Sequence, residues 1–228
     1  MLIGGFQKFS MIDYPGKIAA VVFTLGCNFR CHYCHNPELV DPQQYAQCLS
    51  ESEILSFLDT RKGKLDAVVV TGGEPTLQAD LIGFLQKLKA RGFSVKLDTN
   101  GSHPEVLKQV FKQGLVDYVA MDVKAPLHKY HSVTDVAVDA ASIRESIALI
   151  ISSGIEHEFR TTVLKSDLLK TDIVEIGTML HHANRFVLQR FVDSKCLNKT
   201  PDFETYSDEE FAQLADELRT YVKVCLIR

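Results

Sequence analysis

Three cysteines are crowded into one short stretch of this 228-residue chain, at Cys27, Cys31 and Cys34. Thiolates bind zinc and iron–sulfur clusters, and the Cys-x3-Cys-x2-Cys spacing lets the three converge on one centre. The spacing matches neither ferredoxins, which supply four cysteines to a cluster, nor the paired Cys-x2-Cys of zinc ribbons. Three ligands leave one coordination position open, which is typical of catalytic metal sites. A Cys3His zinc site using His32 or His35 is the alternative.

Further residues that could bind a ligand stand where short apolar runs end. In chain order they are Gly72, Gly73, Glu74, Asp98, Thr99, Asn100, Asp122, Lys124, Arg160 and Gln189. Adjacent glycines let the main chain approach a ligand closely, and mixed charges suit a zwitterion. Each group also has a structural interpretation, namely a surface turn at 72–75, an Asx turn at 98–101 and a solvated charge pair at Asp122 and Lys124.

Six β-branched runs alternate with amphipathic stretches, and this pattern predicts βα units. The predicted strands are residues 19–25, 67–71, 94–98, 118–122, 158–163 and 185–192, with 222–227 as a candidate last strand. The candidate ligand-binding residues follow their carboxyl ends, where the chemistry of (β/α) barrels takes place. A full barrel needs about 250 residues. The chain is therefore predicted to be an α/β protein with a partial (β/α)6 TIM-like barrel, open on one side, in a single domain over residues 1–228.

Composition narrows the function classes. The net charge is −4 and no basic patch is present, so a nucleic-acid partner is not expected. No apolar run approaches the roughly 20 residues that cross a bilayer, and the N-terminus does not look like a signal peptide. We therefore expect a cytoplasmic protein with no membrane partner. The other cysteines, Cys48, Cys196 and Cys225, are predicted to be small buried side chains.

The cysteine spacing, with Tyr33 before the last cysteine, resembles the signature of the radical S-adenosylmethionine (radical SAM) superfamily. The resemblance implies that Cys27, Cys31 and Cys34 hold a [4Fe–4S] cluster whose fourth iron is chelated by S-adenosylmethionine. An electron from the cluster then cleaves S-adenosylmethionine to methionine and a 5′-deoxyadenosyl radical, so the cofactors rather than a catalytic side chain carry the chemistry. Residues 72–75 resemble the family's Gly-Gly-Glu-Pro motif, whose main chain and Glu74 hold the cofactor's amino group.

The segments 98–101 and 122–124 resemble those of glycyl-radical-enzyme activases, in which such residues bind S-adenosylmethionine and a nearby monovalent cation. The same resemblance assigns Tyr33 and His35 to the cofactor. Arg160, at the end of a predicted strand, has a planar guanidinium that can pair with the carboxylate or ribose side of the ligand. Gln189 is assigned to it as well, although pyruvate formate-lyase activase has a histidine in the corresponding region. Together with the segment 13–16, these features are most similar to the anaerobic ribonucleoside-triphosphate reductase activating proteins.

This resemblance implies an activase that generates a glycyl radical on a partner glycyl radical enzyme. No second cysteine group is present for another cluster, so the electron is expected from an external donor such as a flavodoxin or ferredoxin. The alternative is a radical SAM enzyme acting on a small molecule, as the 7-carboxy-7-deazaguanine synthases do. A third interpretation, an electron carrier or a zinc-stabilised binding module, is disfavoured by the Gly-Gly-Glu-Pro motif.

Overall fold

The computed structural model describes residues 1–193, 195–198 and 203–228. The chain forms two compact units. The first consists of Met1–Asn28, Asn36–Thr99 and Glu105–Val119. The second consists of Phe29–His35, Asn100–Pro104 and Ala120–Arg228. The expectation of one domain over the whole chain stays a prediction.

Strands and helices alternate along most of the described chain. The strands are β1 (Ile3–Ser10), β2 (Ala19–Thr24), β3 (Ala67–Gly72), β4 (Ser94–Thr99), β5 (Tyr118–Asp122), β6 (Glu156–Val163), β7 (Arg185–Arg190) and β8 (Val224–Ile227). The helices are α1 (Pro37–Val40), α2 (Glu51–Asp59), α3 (Leu81–Lys89), α4 (Pro104–Lys112), α5 (Tyr130–Thr134), α6 (Ala140–Ser152), α7 (Lys170–Met179) and α8 (Asp208–Leu218).

The strands follow chain order in an open eight-stranded sheet. Parallel pairing joins β2 to β3 and β3 to β4 in the first unit, and β6 to β7 and β7 to β8 in the second. This topology confirms the predicted α/β class and the open, partial barrel. The six predicted strands correspond to β2 through β7, and the candidate last strand is β8. An additional strand, β1, pairs antiparallel with β2.

Local sequence explains most of these elements. The middle strands are apolar along their length, as parallel strands covered on both faces should be, and every residue from Ala67 to Val70 is buried. Helix α2 begins after Ser50, whose hydroxyl accepts a hydrogen bond from the Glu53 amide. Helix α8 begins with a complete capping box between Ser207 and Glu210.

Strand register determines which side chains share a face. In the first unit Val69 lies opposite Lys96 and Phe23 opposite Thr71. Because alternate residues of a strand point to the same side, Lys96 and Asp98 share one face of β4. In the second unit Arg160 lies opposite Val187, and therefore Arg160 and Gln189 lie on the same face of the sheet.

The opposite face of β6 and β7 is packed with large apolar side chains. Phe159 and Phe186 lie opposite each other, and both are fully buried. Replacing Phe186 by Ala is expected to lower the free energy of unfolding by about 3–5 kcal/mol, because it leaves a cavity beside Phe159. The matched control Phe9→Ala, at a side chain that is 55% exposed on β1, should change it by about 0.5 kcal/mol or less. Urea unfolding followed by circular dichroism would measure both, and equal losses would contradict this placement.

Candidate functional site

The main chain just before Cys27 is held by the loop that follows β3. The Glu74 amide donates to the Gly26 carbonyl at 2.7 Å, and the Gly73 amide donates to the Thr24 carbonyl at 2.9 Å. The Gly26 amide donates to the Leu39 carbonyl at 2.8 Å. The beginning of the cysteine segment is therefore fixed through its backbone, independently of side-chain conformation.

The two glycines of the motif make this contact possible. A Cβ atom at Gly73 would lie 2.0 Å from the Gly26 carbonyl oxygen, and one at Gly72 would lie 2.3 Å from the Thr24 nitrogen. Gly72 also has a φ of +118°, a conformation that side chains disfavour. The close approach that the structure shows is to the main chain that precedes Cys27. Binding of S-adenosylmethionine by Gly72 and Gly73 stays a prediction.

Glu74 and Thr99 are brought together in the interior of the first unit. The Glu74 carboxylate is fully buried. Its Oε1 accepts hydrogen bonds from the Thr76 amide at 3.0 Å, the Thr76 hydroxyl at 2.5 Å and the Thr99 hydroxyl at 2.8 Å. The Glu74 side chain thus links the motif to the end of β4. Burial of a carboxylate is costly unless hydrogen-bond donors surround it, and the two threonines supply those donors.

Asp98 is bonded to a lysine that sequence reasoning missed. Lys96 Nζ lies 2.6 Å from Asp98 Oδ1, and the Thr71 hydroxyl donates to Asp98 Oδ2 at 3.2 Å. Lys96 is almost completely buried, and its Nζ lies 6.0 Å from the centroid of the Tyr118 ring. A buried lysine within an apolar strand is rare unless it is paired with an acidic group. The position of Lys96 between Val95 and Leu97 could therefore have predicted a buried ion pair.

In the second unit, Asp122 lies between two cations. Arg160 Nε donates to Asp122 Oδ1 at 2.8 Å, and Lys124 Nζ donates to Asp122 Oδ2 at 2.9 Å. Burial favours the neutral carboxyl, but Arg160 and Lys124 outweigh it and hold the pKa of Asp122 well below its usual range. For Lys124, burial opposes the charged form, but Asp122 outweighs it and raises the pKa of the ammonium well above its usual value. The three residues together carry one net positive charge, which suits an anionic ligand group.

The second part of the cysteine segment lies close to this charged group. Cys31 is buried, and burial raises the pKa of its thiol to about 11, although the Lys124 cation opposes part of that rise. Binding of iron to this thiol must therefore displace a proton. Lys124 Nζ lies 6.0 Å from the centroid of the buried Tyr33 ring. Among the described residues the Tyr33 hydroxyl has no hydrogen-bond partner, which marks it as a group that a ligand could satisfy.

Other predicted site residues have more ordinary surroundings. Asn100 Oδ1 accepts from the Ser102 amide at 3.0 Å, which is the Asx turn considered as its structural interpretation. Gln189 is partly exposed near the end of β7. The segment 13–16 precedes β2, whereas Cys27 follows that strand, and its Tyr14 ring packs 5.6 Å from that of Tyr118. The other cysteines differ among themselves, because Cys225 is buried as predicted but Cys48 is exposed and Cys196 is intermediate.

Residues distant in sequence hold the second part of the cysteine segment, and no local sequence pattern pointed to them. The Leu197 amide donates to the Cys34 carbonyl and the Asn198 amide to the His32 carbonyl, both at 3.0 Å. His35 Nε2 lies 3.0 Å from the Val192 carbonyl oxygen. The structure therefore places His35, predicted to contact the cofactor, against the chain that follows β7.

The donor set fits a [4Fe–4S] cluster. The three thiols lie in one segment of the chain, and the buried Tyr33 hydroxyl of that segment lacks a hydrogen-bond partner among the described residues. Within the part of the chain that the structure describes, no three His, Cys, Asp or Glu side chains are placed so that they could hold a single metal ion. The thiolates of a [4Fe–4S] cluster bind separate irons, so cluster ligands do not meet at one ion.

Comparison with known proteins identifies the family. The sequence model of the radical SAM superfamily matches residues 21–176. The chain belongs to the radical SAM superfamily. This membership implies a [4Fe–4S] cluster and S-adenosylmethionine as cofactors, and it favours the cluster over the zinc alternative.

Individual relatives point to activating enzymes. The chain is 35% identical to the Methanocaldococcus jannaschii protein named "Putative glycyl-radical enzyme activating enzyme MJ1227", over 98% of this chain and 91% of that protein. It is 34% identical to the pyruvate formate-lyase-activating enzyme of Streptococcus mutans over 54% of this chain and 50% of that enzyme, and thus spans about half of that relative. A 7-carboxy-7-deazaguanine synthase of Methanopyrus kandleri is 32% identical over 50% of this chain and 52% of that enzyme.

Solved structures support the fold. Streptococcus suis SuiB bound to S-adenosylmethionine superimposes with a TM-score of 0.71 at 12% identity, covering 90% of this chain and 48% of SuiB. At this identity the likeness shows the fold alone. The described helices include none with the length and apolar character needed to cross a membrane.

The charge balance around Asp122 generates a test. Asp122→Asn should lower the free energy of unfolding by about 1–3 kcal/mol at pH 7, because Lys124 and Arg160 are mostly buried and lose their counterion. Since the native pKa of Asp122 is lowered, its contribution is complete above the unfolded value of about 3.9 and is lost as the pH falls through the native pKa. Urea unfolding from pH 7 down to pH 3 should show a constant difference between the two proteins down to about pH 4 and a narrowing difference below it.

A control for this test is Asp216→Asn, at an exposed carboxylate paired with Arg219. It should change stability by about 0.5 kcal/mol or less. A pH-independent difference between Asp122→Asn and the parent protein would contradict the assigned ion pairs.

Proposed function

We propose that this chain is a glycyl-radical-enzyme activating enzyme. The observation that carries the proposal is its 35% identity to the Methanocaldococcus jannaschii protein over nearly the full length of both chains. In the proposed reaction, a 5′-deoxyadenosyl radical removes a hydrogen atom from the α-carbon of one backbone glycine in a partner enzyme. A carbon–hydrogen bond of the glycine breaks, one forms in 5′-deoxyadenosine, and the unpaired electron stays on the glycine.

The chain's own residues hold and orient the cofactors. Cys27, Cys31 and Cys34 would hold the [4Fe–4S] cluster, which when bound and reduced supplies the electron that cleaves S-adenosylmethionine. The net positive charge of Asp122, Lys124 and Arg160 favours binding of a carboxylate in the second unit.

The remaining site residues are proposed to contact S-adenosylmethionine as the family resemblance implies. They are Gly72, Gly73, Glu74, Asp98, Thr99, Asn100, Tyr33, His35 and Gln189. A monovalent cation beside the Asp residues, an external flavodoxin or ferredoxin as electron donor, and a cytoplasmic location belong to the same proposal. Anaerobic ribonucleoside-triphosphate reductase is the proposed partner.

A second candidate function is supported by the similarity to 7-carboxy-7-deazaguanine synthase over half of the chain. In that case the same cofactors would act on a small molecule. The two functions require different surfaces, because a small substrate is usually buried in a concave pocket, whereas a glycine arrives on a loop of a large protein.

The decisive experiment is anaerobic activation. Reconstituted, reduced protein with S-adenosylmethionine and an anaerobic ribonucleotide reductase should produce 5′-deoxyadenosine and a glycine-centred doublet in electron paramagnetic resonance. Omitting the reductant or using Cys31→Ala should abolish both signals. A panel of glycyl radical enzymes that gives no doublet, while a purine-like small molecule is turned over, would support the second candidate instead.

Glu74→Gln tests the proposed contact to the cofactor's amino group. The amide keeps an oxygen for the donors Thr76 and Thr99 but removes the charge, and a charged hydrogen bond contributes about 1.5–3 kcal/mol. Affinity for S-adenosylmethionine, measured by calorimetry on cluster-loaded protein, should fall by about tenfold to a hundredfold. Glu53→Gln, at an exposed position of α2, should leave it unchanged. Unaltered affinity in Glu74→Gln with an intact cluster would remove Glu74 from the proposed site.

A further inference from the structure

The second part of the cysteine segment is surrounded by a group of residues that we call the loop clamp. The loop clamp consists of Asp167, Phe191, Val192, Leu197, Asn198 and Phe203. We propose that His32 and His35 are positioning residues that engage this clamp and keep Cys31 and Cys34 in a cluster-binding arrangement. The inference rests on the cluster that family membership implies, and it does not depend on the identity of the partner or substrate.

Main-chain hydrogen bonds form the first component of the clamp. The Asn198 amide binds the carbonyl of His32 and the Leu197 amide binds the carbonyl of Cys34, both at 3.0 Å. These bonds restrain the backbone on both sides of Tyr33. A backbone restrained in this way loses less conformational entropy when its thiolates bind a cluster.

A row of four aromatic rings forms the second component. His35 stacks on Phe191 with centroids 5.3 Å apart and an interplanar angle of 19°. Phe191 contacts Phe203 at 4.6 Å, and Phe203 stacks on His32 at 6.0 Å and 13°. His32 directly follows Cys31, and His35 directly follows Cys34. The two histidine rings are thus connected through two phenylalanine rings, so displacement of either phenylalanine disturbs both histidines.

Polar contacts of the histidine side chains form the third component. His35 Nε2 lies 3.0 Å from the Val192 carbonyl, which can only accept, so this nitrogen carries the proton. A nitrogen that donates in this way has no lone pair for a metal, which argues for positioning rather than ligation through Nε2. His32 Nε2 lies 2.9 Å from Asp167 Oδ2, a close polar contact between the two side chains. Both members of that pair are mostly buried.

Paired variants at His35 separate its two contacts. His35→Phe keeps the stacking on Phe191 but loses the donor to Val192, whereas His35→Asn keeps a donor but loses the stacking. Phe203→Leu removes one ring from the row of four without removing a polar group, whereas Phe203→Tyr keeps an aromatic ring at that position. Because His35 is exposed, its variants are expected to fold, and circular dichroism melts would verify this.

The readout is cluster retention rather than activity. Each variant is reconstituted anaerobically, its iron content and reduced-cluster electron paramagnetic resonance spectrum are recorded, and the loss of cluster absorbance in excess iron(II) chelator is timed. We expect wild-type iron content in all variants. We expect cluster loss to be about threefold to tenfold faster in His35→Phe, His35→Asn and Phe203→Leu, and near the wild-type rate in Phe203→Tyr. His181→Asn, at an exposed histidine outside the clamp, is the control.

Two results would overturn the proposal. Wild-type loss rates in both His35 variants and in Phe203→Leu would show that the clamp does not stabilise the cluster. A nitrogen ligand to iron in X-ray absorption spectra of the wild type that disappears in His35→Phe would make His35 a ligand instead. Failure of glycyl radical formation with normal cluster loss rates would bear on the proposed function and leave this inference unaffected.

Discussion

The contact between the Glu74 amide and the Gly26 carbonyl is the constraint on which the candidate site depends. It brings the backbone after β3 against the backbone that precedes Cys27, at a separation that leaves no room for a Cβ at Gly73. The same turn carries Glu74 into the interior, where it meets Thr99 at the end of β4. One main-chain hydrogen bond thus connects the cysteine segment to two further strands of the first unit. Glycine is required at position 73 for this close packing of the main chain, independently of any contact with a ligand.

The cysteine segment is held in different ways along its length. Its beginning is fixed by backbone contacts with Gly73 and Glu74, and its second part by the loop clamp through His32 and His35. A segment that binds a cluster through three side chains has little regular structure of its own, so its order must come from its neighbours. Such external support is typical of sites whose ligands require defined positions before the metal group arrives.

Sequence reasoning succeeded where the signal was local. Apolar runs located β2 through β7. Strand β1 was not predicted, because Gly4 and Gly5 and its exposed residues hide the strand pattern until β2 supplies a partner. The loop clamp was missed for a different reason: Asp167 and Phe203 are far from His32 in sequence, and only tertiary folding brings them into contact with it. Lys96, in contrast, was detectable as a charge within an apolar strand.

Strand β1 also has a consequence for handling the protein. A parallel sheet that ended at β2 would expose the amides and carbonyls of an apolar strand, which other chains could use as a template for pairing. Instead β1 covers that edge and presents the exposed residues Gln7 and Lys8 outward, with the Lys8 ammonium 5.3 Å from the centroid of the Phe57 ring. A charged outer strand discourages edge-to-edge aggregation. Phe9, next to Lys8, is apolar and 55% exposed, so β1 is the first surface to examine if the protein associates at the high concentrations that spectroscopy of a cluster demands.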